Sequence, residues 1–190
     1  MLESLIEFDK EAFLYLNGLG TEAWDSFWLF MTDKLNAIPL YLLLLVLTFR
    51  VYGLKKTLLV LVFVALLITA TDQLANFFKY GVGRFRPCHD ITLSETMRLV
   101  KNSCGGKYGY FSAHAANSFA VAVFFSVLLR NKFRWMLPLL LLWALIVAYS
   151  RIYIGVHFPL DVLTGMAIGM LFGWLFAKLN LFAQIKAKLV

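Results

Sequence analysis

Residues 55–79 read "KKTLLVLVFVALLITATDQLANFFK", and between Lys56 and Lys79 the only ionisable side chain is Asp72. A helix needs roughly 20 apolar residues to cross about 30 Å of hydrocarbon, so 56–78 reads as a membrane span. Working outward, four further runs of that kind emerge at 35–50, 112–130, 134–152 and 159–178. Asp33, Lys34 and Pro39 crowd the start of the first. Of the 190 residues 61% are hydrophobic and 16% aromatic, more than a single soluble core of this size needs. The expected fold class is all-α: a polytopic membrane helix bundle of about five transmembrane helices. No repeat, low-complexity tract or linker interrupts it, so residues 1–190 are expected to form a single membrane-embedded domain.

The first 20 residues, "MLESLIEFDKEAFLYLNGLG", carry neither a basic start nor a continuous apolar run and do not read as a cleavable signal peptide. Leu2, Leu5, Ile6, Phe13 and Leu14 recur at helical spacing. That pattern predicts an amphipathic helix lying on the membrane, within an interfacial segment 1–34.

Charge sets the expected orientation. Arg50, Lys55 and Lys56, then Arg130, Lys132 and Arg134, and finally Lys178, Lys186 and Lys188 occupy three segments without an acid, which the positive-inside rule assigns to the cytoplasm. Glu3, Glu7, Asp9, Glu11 and Glu22 face the single base Lys10 near the N-terminus, which suits the opposite side. The net charge of +7 is thereby accounted for by anionic lipid, and no nucleic-acid partner is needed.

This orientation gathers three segments on the external face: a long connection over 79–111, the turn between the last two spans, and the acidic N-terminus. They contain "KYGVGRFRP" (79–87), "YFSAHAANSF" (110–119) and "SRIYIGVHFPLD" (150–161). Lys79, Arg86 and Arg151 are three cations, two of them guanidinium forks matched to phosphate oxygens. Ser112 is a helix N-cap whose side chain can serve either the helix or a bound phosphate, and the free N–H groups of Ala113 and His114 at that helix start favour an anion. His157 precedes Pro159, a first-turn residue, so Asp161 falls within reach of its imidazole. An aspartate on one ring nitrogen leaves the other as a nucleophile toward phosphorus, and His114 on another helix can protonate the leaving oxygen and then activate water. No cofactor or metal is required, and the external acids Asp90, Glu95 and Asp161 do not form the carboxylate cluster of a two-metal phosphatase.

Lys79 with Arg86-Pro87, Ser112-Ala113-His114, and Ser150-Arg151 followed by His157 and Asp161 resemble the three signature motifs of the type 2 phosphatidic acid phosphatase superfamily. The resemblance covers roughly Asp72 to Gly173. It departs in the second motif, where Phe111 and Ala113 replace the usual proline and glycine. The resemblance implies a membrane lipid phosphatase with His157 as nucleophile and His114 as acid. The expected substrate is a lipid phosphate or diphosphate on the outer face of a bacterial cytoplasmic membrane. Polyprenyl diphosphates such as undecaprenyl diphosphate and phosphatidylglycerophosphate come first, and a lipid A phosphate third. The alternative is a small lipid-phosphate binding or transport protein without hydrolysis, which would not need His157 and Asp161 in register with His114. A vanadate-dependent peroxidase shares the cradle but belongs to soluble chains.

Other residues carry weaker signals. Asp72 lies two turns before Lys79 on the same face, and a role orienting Arg151 or a water competes with a structural hydrogen bond. Arg84, Arg98, Lys101 and Lys107 are expected at solvated or headgroup positions, and His89 in a loop. Gly165, Gly169 and Gly173 share one face of the last span, as close packing requires. Cys88 and Cys104 both fall in the external connection, where a bridge is expected and two reduced thiols are the alternative.

Overall fold

In a computed structural model the protein is all-helical, and the structure describes residues 2–101 and 103–187; Lys188 of the basic tail lies outside them. The order is α1 (Leu2–Gly18), α2 (Glu22–Thr32), a 3₁₀ turn (Lys34–Ala37), α3 (Ile38–Val82), a short 3₁₀ turn (Pro87–His89), α4 (Ala113–Leu129), α5 (Met136–Tyr153) and α6 (Pro159–Lys186).

Helix α3 has 45 residues, about 68 Å if straight and twice a bilayer core. It is not straight, because Gly53 sits at φ 73°, a left-handed conformation that glycine adopts without penalty. Tyr41 and Leu45 before Gly53 and Val64 and Ile68 after it line one cavity, so the chain folds back there and α3 supplies both the first and second expected spans. The three remaining spans are α4, α5 and α6. Among the described residues, three helical stretches are long and apolar enough to cross a membrane by composition: Lys34–Val82, Met136–Tyr153 and Pro159–Lys186; α4 is a shorter apolar helix. The ends separate by function. Tyr52 beside the Gly53 turn donates to the Leu128 carbonyl near the α4–α5 connection, so these two basic segments share one end of the bundle. The three motif segments share the other.

Helix α4 is the hub, packed on both α5 and α6. Its contact with α6 depends on the three glycines: a Cβ at Gly165 would lie 2.5 Å from the Ser112 carbonyl oxygen, at Gly169 2.2 Å from that of Ala116, and at Gly173 2.4 Å from that of Ala120. The stripe therefore packs within the bundle. A Gly169→Ala substitution should force the two helices apart and cost about 1–3 kcal/mol, as overpacking does elsewhere. Unfolding of the variant in detergent checks this, and an unchanged midpoint counts against it.

The N-terminal segment differs from a helix resting on lipid alone. The buried stripe of α1 is Asp9, Phe13 and Asn17, at 2%, 0% and 1% exposure, while Leu5 and Ile6 are exposed. Phe13 meets the Phe158 ring edge-on at 5.3 Å. Asn17 Nδ2 donates to the carbonyls of Arg98, Ile152 and Tyr153. Thus α1 docks on the bundle by a stripe of mixed polarity. Helix α2 exposes Trp24, Phe27 and Phe30, the residue types of an interfacial aromatic belt.

Candidate active site

The site is assembled where the connection 83–112 folds over the start of α4 and the turn between α5 and α6. Phe85 pairs antiparallel with Tyr108, through Gly109 N–H to the Arg84 carbonyl (2.9 Å) and Arg86 N–H to the Lys107 carbonyl (3.1 Å). Side chains alternate along such a segment, so Arg84 and Arg86 point one way while Phe85 stacks on Tyr108 on the other. Gly109 lets this layer close: a Cβ there would lie 3.1 Å from Arg86 Cγ and 3.2 Å from Asp161 Oδ2.

Cys88 and Cys104 are bridged, with Cα atoms 6.0 Å apart. Arg86 lies two residues before the bridge, and its Nη1 donates to the Cys104 carbonyl at 2.7 Å while Nε donates to that of Tyr108 at 3.2 Å. The bridge thus fixes the loop that aims this guanidinium. It closes a loop worth about 3 kcal/mol in the chain-entropy view. Its loss should lower kcat/KM about 10-fold or more by misplacing Arg86. Reductant and a Cys88→Ser, Cys104→Ser double variant should give the same loss, and neither should add to the other. A fully active double variant would show that Arg86 is held without the bridge.

A polar cavity of about 450 Å³ is lined by Lys79, Arg86, Ala113, His114, Arg151 and His157, together with Asp72, Lys34 and Lys101. The segments that hold Lys79 and Arg86, Ala113 and His114, and Arg151 and His157 therefore converge. Arg151 is 6% exposed. One Nη donates to Thr32, and its Nε has no protein partner, a buried donor left for an anion. His157 Nδ1 lies 3.4 Å from Asp161 Oδ2, which also accepts from Phe158 N–H at 3.0 Å in the first turn of α6. Burial, with the Arg151, Arg86 and Lys79 cations nearby, holds His157 well below the ordinary imidazole range, so its ring is neutral. Ser112 is fully buried and its Oγ accepts from Ala115 N–H, so it serves the helix, while Ala113 and His114 line the cavity.

Asp72 accepts from Asn117 Nδ2 at 2.9 Å, and Asn117 also meets Thr71. No hydrogen bond joins it to Arg151; of the two roles expected for Asp72, the structural hydrogen bond is the one present, a link between α3 and α4. Arg84 corrects a second expectation. Far from solvated, it donates to Asp161 Oδ1 at 3.1 Å and to Asp9 Oδ2 at 2.5 Å, with its guanidinium 4.2 Å over the Phe158 ring. Arg98 pairs with Asp25 at 3.1 Å, Lys107 covers the Phe85 ring, and Lys101 reaches the cavity rim. The alternation of Arg84 with Arg86 was the available signal for Arg84; nothing local marked Asp9. Among the described residues, no three His, Cys, Asp or Glu side chains gather as a metal site would need.

A second cavity of about 440 Å³ runs down between the two limbs of α3 and helices α4 and α5, past Tyr41, Ile68, Phe125 and Trp143. It shares Lys34, Asp72 and His114 with the polar cavity, so an apolar groove opens directly at the cations.

Residues 56–184 match the PAP2 superfamily. The chain belongs to that superfamily. Over 178 residues it is 36% identical to a lipid A 4'-phosphatase of Bacteroides thetaiotaomicron, covering 93% of this chain and 78% of the relative. A Porphyromonas gingivalis lipid A 4'-phosphatase is 34% identical over 187 residues, 96% of this chain and 77% of that one. The crystal structure of a transmembrane PAP2-type phosphatidylglycerolphosphate phosphatase from Bacillus subtilis superposes with a TM-score of 0.73 at 20% identity, over 93% of this chain and 86% of the other, and shares the fold. The protein is a membrane lipid phosphatase of the PAP2 type, and the three segments that resemble the superfamily's motifs meet around the 450 Å³ cavity.

Proposed function

We propose that this PAP2 protein removes a phosphate from a lipid A type lipid through a phosphohistidine on His157, without metal. The observation that carries the chemistry is His157 with Asp161 Oδ2 3.4 Å from its Nδ1, in a cavity that also holds Lys79, Arg86 and Arg151. Nε2 attacks phosphorus, the bond to the lipid oxygen breaks, and His114 delivers the proton that oxygen needs. Water activated by His114 then cleaves the phosphorus–nitrogen bond and frees inorganic phosphate. Lys79, Arg86, Arg151 and the N–H groups at the start of α4 hold the phosphoryl oxygens, whose charge develops where these donors already point.

The similarity to two lipid A 4'-phosphatases along nearly the whole chain moves a lipid A phosphate ahead of undecaprenyl diphosphate and phosphatidylglycerophosphate. The apolar groove supports a lipid substrate, since an acyl chain lying in it would carry its headgroup to the cations. A phosphate-release panel over those three lipids in detergent, with product masses, tests the reading. Loss of 80 mass units from lipid A at the highest kcat/KM is expected, and preferred turnover of either other lipid would overturn the substrate.

The site end of the bundle is assigned to the periplasm and the C-terminus to the cytoplasm, because both basic connections lie at the far end. An impermeant thiol reagent should label a cysteine placed at Glu3 on intact cells and one placed at Lys132 only after permeabilisation. The reverse pattern would put the site in the cytoplasm.

A further inference from the structure

Asp9 lies outside the residues that match the superfamily, yet it is 2% exposed and stands directly behind the histidine turn. The geometry points to Asp9 and Arg84 as positioning residues that act through Asp161 on the imidazole of His157, a role that rests on His157 being the nucleophile.

The contacts form an unbroken line. Asp9 Oδ2 accepts from Arg84 Nη2 at 2.5 Å, Arg84 Nη1 donates to Asp161 Oδ1 at 3.1 Å, and Asp161 Oδ2 stands 3.4 Å from His157 Nδ1. Asp9 Oδ1 accepts from the Leu160 N–H at 2.8 Å, the residue just before Asp161. One carboxylate therefore grips both the guanidinium and the backbone of the helix turn that carries Asp161. Arg84 is locked from a third side by the Phe158 ring, 4.2 Å from its centre.

This arrangement has a consequence for the histidine. Arg84 shares its fork between two carboxylates, so only one of its nitrogens faces Asp161 and the second oxygen stays available to the imidazole N–H. Without the charge of Asp9 the fork is free to turn and take both oxygens of Asp161, the bidentate pairing that guanidinium prefers. His157 Nδ1–H would then compete for an acceptor already occupied, and the tautomer that exposes Nε2 would lose its advantage.

A plain docking role for α1 explains less. Asn17 and Phe13 already anchor that helix, through three backbone carbonyls and the Phe158 ring. Burial pushes the Asp9 carboxyl up from its ordinary value, with the Arg84 hydrogen bond and the Leu160 N–H opposing, so a carboxylate is a costly anchor. Its cation is the same one that Asp161 uses.

The test uses the full chain in detergent micelles. Asp9→Asn keeps the volume and an oxygen for Leu160 N–H while losing the charge, so it spares the fold. It should lower kcat on lipid A about 10- to 100-fold with KM within about 2-fold, the size of effect that outer partners of a histidine exert elsewhere. Arg84→Ala should do at least as much, and the double variant should be no more than about 2-fold below Arg84→Ala, because both act on one line of contacts. Lys10→Ala, which breaks the neighbouring pair of α1 with Asp90, should leave kcat unchanged. Nitrogen-15 histidine spectra supply a readout independent of turnover: with three histidines in the chain, His157 should be a single Nδ1–H tautomer in the wild type and a mixture in Asp9→Asn. An Asp9→Asn protein with unchanged kcat, losses that multiply in the double variant, or an unaltered tautomer would each overturn the assignment. Should the wild type release no phosphate from lipid A, the substrate reading fails and the tautomer still decides this one.

Discussion

His157→Ala should give a folded protein whose phosphate release is down by about 10³-fold or more, the loss expected when a covalent nucleophile is removed. Acid quench of the wild type during turnover should trap an acid-labile phosphoenzyme that the variant lacks. EDTA should change neither result, and full inhibition by chelator reversed only by added metal would sink the mechanism. The pH profile carries a further check. Burial and the surrounding cations keep His157 neutral well below about pH 6.5, so the nucleophile itself should impose no fall in kcat/KM as pH drops through that value. Stability should move the other way: the unfolded chain takes up this proton first, so stability is lost as pH falls below about 6.5 toward the lower folded value. An acid limb near 6.5 that disappears with His157 replaced would show the ring to be charged in the folded protein.

Most residues that the motifs single out come together because they sit at helix ends; Arg86 is instead carried by the connection 83–112. His157 and Asp161 are four residues apart across a proline-started helix turn, so their contact could be read locally. Lys79, Ala113 and Arg151 likewise end or begin spans, and any bundle that orients the five spans alternately puts them on one face. What could not be read depended on partners distant in sequence. Asp9 and Asn17 read as the polar side of an amphipathic helix, and they are buried because each finds partners on elements 75 or more residues away. The turn at Gly53 was legible as a connection, because "RVYGLKK" sets Arg50, Lys55 and Lys56 between two apolar runs; what the sequence did not show is that helix continues on both sides up to a single left-handed residue, Gly53. Asp72 could be placed on the face of Lys79 by spacing alone, but its partner Asn117 lies on α4, and helix-to-helix register is not contained in either helix's own periodicity.

His114→Ala should slow hydrolysis of a lipid phosphate by about 10²- to 10⁴-fold, the range that a positioned acid and base contributes. Its place in the molecule makes the effect selective. His114 lines both the polar cavity and the apolar groove, so it stands where a lipid oxygen would join phosphorus to the chain. A lipid alkoxide is a poor leaving group and must take a proton as the bond breaks, whereas a nitrophenolate leaves without one. The variant should therefore lose far less in the first step with a nitrophenyl phosphate than with lipid. The second step offers no such escape, because water must still be deprotonated to release the phosphohistidine. With nitrophenyl phosphate the variant should show a burst of nitrophenol followed by slow turnover, and phosphoenzyme should accumulate on His157. Equal losses on both substrates without a burst would remove His114 from proton transfer and leave it a phosphate ligand at the start of α4.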